Sequence, residues 1–227
     1  MTIGAVLGDL LPLTVGVAVS PVPIIAVILM LLAPRAGAAS VAFATGWVLG
    51  IAAVTVVALL LAGGADVTDD DAGPSTGASW VKLLLGLALL AVGAKQWRGR
   101  PKSGQDVALP TWMAAIDHVT PVKALALGVA LAAVNPKNLL MTMSAGVTIA
   151  DGALDTGQQV VAVVVFTALA ASTVVLPVVA YLVAKERMRR PLEDLRGWLQ
   201  ANNATVMAVL ILVIGVTQVG KGLGGLL

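Results

Sequence analysis

Six apolar runs, at roughly 10–33, 39–63, 79–96, 122–148, 158–184 and 204–221, are each long enough to cross a lipid bilayer. A span needs ~20 mostly apolar residues, because the hydrocarbon core is ~30 Å thick and a helix rises ~1.5 Å per residue. Inside hydrocarbon every backbone N–H and C=O must find its partner within the protein, so such runs fold as helices. Composition agrees: 59% of the residues are hydrophobic and only 11% are charged, with a mean hydropathy of +0.98. These values lie outside the range of soluble globular chains. The expected fold class is an all-α polytopic membrane protein with six transmembrane helices.

The charged residues orient this bundle. Arg35, the cluster Lys95, Arg98, Arg100 and Lys102, and the cluster Lys185, Arg187, Arg189, Arg190 and Arg196 fall on alternate connections. The other two connections carry Asp66, Asp69, Asp70, Asp71, Asp151 and Asp155. The positive-inside rule then places both termini outside and the basic connections in the cytoplasm. The N-terminal run lacks a basic leader and reads through as a span rather than a cleaved signal. Three adjacent aspartates within 63–78 read as a solvated loop, since their spacing does not match an EF-hand. Pro110 to His118 reads as a short interfacial helix dipping Trp112, Met113 and Ile116 into the membrane, and Thr120-Pro121 as the cap and first turn of span four. The basic segment 185–200, with Leu192, Leu195, Trp198 and Leu199 on one face, reads as a helix along the membrane surface. Gly46 and Gly50, four residues apart in span two, offer a face for close helix packing.

Within this apolar frame one stretch stands out: Asn135-Pro136-Lys137-Asn138, inside the run from Leu125 to Ala150 and followed by Thr142 and Ser144. A proline removes a helix donor and frees a carbonyl, and an ammonium at membrane depth is costly. Such a charge faces a bundle interior or a wet cavity, which makes Lys137 the leading candidate site residue. Span one has a matching irregularity at Ser20-Pro21-Val22-Pro23, 115 residues earlier. Both interruptions lie about half-way along the first helix of a three-span half. Paired proline breaks at corresponding positions point to a midplane transport site. The expectation is therefore a 3+3 inverted repeat, with residues 1–96 as the first half, 97–121 as the cytoplasmic connection with its interfacial helix, and 122–227 as the second half. The first helix of each half is expected to be broken or re-entrant. The candidate substrate-binding residues are Ser20, Pro21, Pro23, Asn135, Pro136, Lys137 and Asn138. Helix N-termini and Lys137 would favour a carboxylate, phosphate or sulfate group; the structural alternative pairs Lys137 with an acid, Asp117 being nearest. Proton or ion coupling falls to Asp117, His118 and Lys137.

At these residues the chain resembles the LysE superfamily of exporters, and within it the glycolipid-addressing GAP/Sap family of actinobacteria, which includes sulfolipid- and glycopeptidolipid-addressing proteins. The resemblance rests on Ser20 to Pro23, on Asp117 to Pro121, and on Leu125-Ala126-Leu127-Gly128 running into Val134 to Leu139. The six-span layout matches over the full length. The resemblance implies export or flipping of a lipid-linked or amphiphilic cell-envelope molecule. The amino-acid exporters of the superfamily carry Pro-Gly-Pro where this chain has Pro21-Val22-Pro23, which weakens the case for amino-acid substrates.

The leading functional expectation is a secondary transporter or flippase-like exporter in the cytoplasmic membrane. The alternatives are an exporter of amino acids or other small solutes, and a non-transporting scaffold for envelope-lipid export. Expected partners are membrane lipids, a glycolipid or other amphiphilic substrate, and either further copies of the chain or an envelope-lipid synthesis or export partner, with no nucleic acid. The chain has no cysteine and one histidine. No nucleotide-binding loop, metal cluster or nucleophile–base arrangement is recognisable, so neither enzymatic activity, nor a cofactor, nor a metal is expected.

Overall fold

A computed structural model of the chain describes residues 1–33, 36–65, 76–98 and 119–226, all helical apart from short connections. In chain order the helices are α1 (Ile3–Ala18), α2 (Pro21–Leu32), α3 (Ala36–Ala65), α4 (Thr76–Arg98), α5 (Pro121–Ala133) and α6 (Pro136–Asp151). They are followed by α7 (Thr156–Lys185) and α8 (Arg187–Gly224), which meet at a kink where Ala184 leaves the helical region (φ −138°, ψ 50°). Asp117, His118 and the expected interfacial helix at 110–118 lie outside the described residues.

Among the described residues, α3, α4, α7 and α8 are each long and apolar enough to span a membrane, and two bent pairs bring the number of spans to as many as 6. The outward faces carry large exposed apolar residues such as Leu60, Leu61, Leu84, Val183 and Leu212. In water so much apolar surface would drive association; in lipid it is the expected outer surface. The chain is a multi-pass membrane protein.

The bent pairs are the proline-interrupted spans. α1 and α2 meet at 51°, and α5 and α6 at 67°. Each second half-helix opens with proline at its first position, behind Ser20 and Asn135 respectively. Proline's missing N–H costs nothing there and its fixed φ suits a helix start, so the same residue that ends one half-helix begins the next. Pro121 repeats the device at the start of α5, where the Thr120 hydroxyl accepts from the Lys123 N–H at 3.4 Å.

Glycines set how closely the helices approach. α3 packs against α5 and α6. A Cβ on Gly50 would lie 2.6 Å from the Ala132 methyl, one on Gly128 would lie 2.7 Å from the Trp47 nitrogen, and one on Gly146 would lie 2.5 Å from the Thr55 carbonyl. The Gly46 and Gly50 face predicted for close packing is thus in use, with backbone against backbone. α4 packs against α8 in the same way, where Gly86 and Gly222 lie against Val219 and Leu83. The core between these pairs is built on Trp47, Phe43, Phe166, Leu13, Met30 and Met141.

Two sequence expectations change. Asp151 was expected in a loop, but it is the last residue of α6, and its carboxylate is buried against the Lys82 ammonium of α4. The apolar span extends further than its hydropathy suggests because that lysine neutralises its end. The segment 185–200 is not a separate surface helix but leads without interruption into the last span, as the first part of α8. Leu192 and Leu199 are buried while Leu195 and Trp198 are exposed, so the four do not share one apolar face.

Candidate functional site

The two breaks meet. Residues 18–20 at the end of α1 lie against residues 137–138 at the start of α6, over a separation of more than one hundred positions. The side chain of Lys137 is buried, and its Nζ donates to the Gly16 carbonyl at 2.5 Å and to the Val19 carbonyl at 3.5 Å. These carbonyls belong to the last turn of α1, where helix geometry leaves them without intrahelical donors. They also form the negative end of the α1 dipole, so a cation is the favoured partner. The Thr173 hydroxyl of α7 donates to the Ala18 carbonyl at 2.6 Å. The frayed end of α1 is therefore satisfied by side chains from the other half of the chain. Among the described residues no carboxylate lies within ion-pair distance of Lys137.

Asn138 holds the second break. Its amide Nδ2 donates to the Leu131 carbonyl of α5 at 3.2 Å and to the Ser20 hydroxyl at 3.4 Å. Ser20 makes no side-chain bond to its own helix, which leaves its oxygen available to Asn138. Asn135 acts locally: its Oδ1 accepts the Lys137 N–H at 3.2 Å and caps α6. Thr142 donates back to the Asn138 carbonyl at 2.8 Å. Ser20, Lys137 and Asn138 are thus in one buried polar cluster.

The prolines shape the break and limit it. Pro21, Pro23 and Pro136 stand in the first turns of α2 and α6, where a regular helix would present free N–H groups. Each proline removes one such donor. The helix N-termini alone therefore offer few amides to an anion, and the positive character of the site rests on Lys137. One side of the cluster is incompletely paired: Asn138 Oδ1, Ser144 Oγ and Thr148 Oγ1 are buried without hydrogen-bond partners. Lys137, Ser144 and Thr148 follow one another at helical spacing along one stripe of α6, which ends at Asp151.

A model of the family described as Sap, sulfolipid-1-addressing protein, matches residues 10–224. The chain belongs to the Sap family. The matched stretch contains both breaks and every residue of the cluster, so this Sap protein's polar centre lies within what the family model covers. No curated protein and no solved structure matches the chain.

Several residues of this Sap protein's polar framework are not evident in sequence. Thr173 is visible only as one hydroxyl in a valine-rich span. The carbonyls of Gly16, Ala18 and Val19 carry no side-chain signal at all. At the end of the bundle that holds both termini, two ion pairs cross between helices: Lys82 with Asp151, and Lys221 with Asp9 at 2.8 Å. Beside them the N-terminal ammonium donates to the Gly152 carbonyl at 2.9 Å. Lysine and aspartate at the ends of apolar spans are the only hint of these pairs before folding.

Proposed function

We propose that this Sap protein is a secondary transporter or flippase-like exporter. It carries a lipid-linked or amphiphilic cell-envelope molecule, of the sulfolipid class that the family description names, across the cytoplasmic membrane. The observation that carries this reading is the junction of two broken helices through Lys137, Gly16, Val19, Ser20 and Asn138. Broken helices that meet at mid-membrane are a recurrent way to build a substrate site there. The chain performs no chemistry on its cargo. Lys137 is the residue that meets an anionic head group, exchanging the α1 carbonyls for it as the halves move.

The halves, 1–96 and 122–227 about the connection 97–121, act as inverted repeats. The packing supports this. α3 of the first half lies on α5 and α6, the α7–α8 stretch of the second half lies on α1 and α2, and α4 lies on α8. An exchange of the halves pairs the contact of α3 with the second broken pair to one of α7 with the first, and the Thr173 hydroxyl of α7 does reach Ala18 of α1. With the basic connections in the cytoplasm, both termini lie outside. Asp117, His118 and Lys137 are the coupling candidates.

The test is lipid profiling of the cell surface in a deletion strain and in one carrying Lys137→Ala at normal membrane levels. Retention of one envelope lipid inside the cell in both strains supports export through this site. An unchanged surface with altered amino-acid efflux would transfer the role to small solutes. Loss of the lipid on deletion, with normal display in Lys137→Ala, would favour a scaffold that assists a separate exporter.

A further inference from the structure

A crevice of about 360 Å³ lies between α3 and α7, lined by Val41, Val48 and Leu49 on one side and Val175, Val179 and Leu182 on the other. It opens in the half of the bundle remote from the termini, because α3 begins there and α7 ends there. Its one hydroxyl, on Thr45, donates to the Val41 carbonyl at 2.9 Å and presents nothing to an occupant. The crevice is therefore apolar throughout, and it lies inside two membrane spans. At that depth the surrounding material is lipid hydrocarbon.

Two further features select the occupant. Three residues after Leu182 a basic run begins, Lys185, Arg187, Arg189 and Arg190 at the junction of α7 and α8, of which Arg189 also pairs with Glu193 at 3.5 Å. A chain lying along the crevice thus ends at a basic membrane edge, which attracts an anionic head group. At its inner end Val175 stands two residues from Thr173, whose hydroxyl holds the Ala18 carbonyl at the first break. The inner end of the crevice therefore lies at the depth of the first break, about 3 Å along α7 from Thr173 and on another face of that helix.

We infer that the α3–α7 crevice binds one acyl chain of an anionic lipid, drawn from the leaflet remote from the termini, with its head group against the basic residues that follow Leu182. This deepens the export reading by giving the cargo a sideways entry, and it rests on that reading for its role; binding itself does not require transport.

The experiment reconstitutes the full chain in phosphatidylcholine vesicles with a trace of phosphatidylglycerol carrying a diazirine on one acyl chain. Photolysis is followed by peptide mapping. The expected result is several-fold heavier labelling at 41–49 and 175–182 than at equally exposed positions such as Leu84, Leu87, Leu212 and Val213. That excess should vanish in Thr45→Trp or Val48→Trp, either of which fills the crevice. A phosphatidylcholine probe with the same chain should label it less. Uniform labelling of all lipid-facing helices, or an excess unchanged by both tryptophans, would overturn the site. Equal labelling by the neutral probe would overturn the head-group contact. Crevice labelling in a protein whose deletion leaves the lipid surface unchanged keeps the site and removes the export reading, whereas uniform labelling with intact export removes the site alone.

Discussion

The Lys137 ammonium donates to the Gly16 carbonyl at 2.5 Å, joining residues 121 positions apart in the chain. The bond explains how a full charge is tolerated within the bundle. A helix interrupted at membrane depth leaves carbonyls that water cannot reach, and a buried lysine supplies up to three donors to them. Each feature would be costly alone. Together they tie the first break to the second half of the chain.

Removing that cation should destabilise the protein more than removing the neighbouring hydroxyl. Lys137→Met strips the Gly16 and Val19 carbonyls of their side-chain donor and should cost about 1.5–3 kcal/mol, the range for a hydrogen bond to a charged group. Thr173→Val should cost less, ~1 kcal/mol, because the Ala18 carbonyl also accepts the Ser20 N–H at 3.0 Å. Unfolding midpoints in detergent check the order. Equal midpoints for Lys137→Met and the unaltered protein would mean that the carbonyls find other donors.

The close helix approach makes a second contrast. Gly128→Ala should push α5 away from α3, since the added methyl meets the Trp47 nitrogen at 2.7 Å with only backbone behind it. Overpacking of this kind costs about 1–3 kcal/mol. Gly8→Ala on the open face of α1 meets nothing within 4 Å and should be neutral or slightly stabilising, by up to ~1 kcal/mol of helix propensity. Thermal stability of the two purified variants decides the matter; similar losses in both would remove the packing argument.

The two ion pairs near the termini should behave differently from each other. Lys82 and Asp151 have side chains only 10% and 5% exposed, whereas Lys221 and Asp9 are 25% and 41% exposed. Lys82→Met leaves a buried carboxylate unpaired and should cost about 3–5 kcal/mol. Lys221→Met should cost no more than ~1 kcal/mol, and that smaller effect should fade with added salt. Exchanging the charges, Lys82→Asp with Asp151→Lys, should recover part of the loss. A double variant no better than the worse single would show that the sites matter separately.

The breaks were legible in sequence because their chemistry is local. Proline sits directly after Ser20 and after Asn135, and a residue pair of that kind ends one helix and caps the next whatever surrounds it. The partner of Lys137 was not legible. The carbonyls of Gly16 and Val19, to which the Lys137 ammonium donates, give no sign of themselves in the sequence; the Asp117 carboxylate lies outside the described residues. Backbone groups carry no sequence signature, and which helix end reaches a lysine is decided by packing across the whole chain. Asp151 and Lys82 fail for the same reason, being 69 positions apart. In the basic segment after Ala184, one apolar stripe was expected, but Leu192 and Leu199 turn inward while Leu195 and Trp198 do not. A helix that continues into a span is held by the bundle rather than by the interface.

Topology offers the most direct check, because the chain has no cysteine of its own. Single cysteines can therefore be placed without background. The acidic connection carries Asp69, Asp70 and Asp71, and the opposite end carries Arg187, Arg189 and Arg190. The positive-inside rule predicts that the basic end faces the cytoplasm. An impermeant thiol reagent added to intact cells should label Asp70→Cys at once and Arg189→Cys only after permeabilisation. The same orientation sets the leaflet from which the α3–α7 crevice would draw its lipid. The reverse labelling pattern would invert the bundle, move that opening to the outer leaflet, and turn the proposed direction of movement from export to uptake.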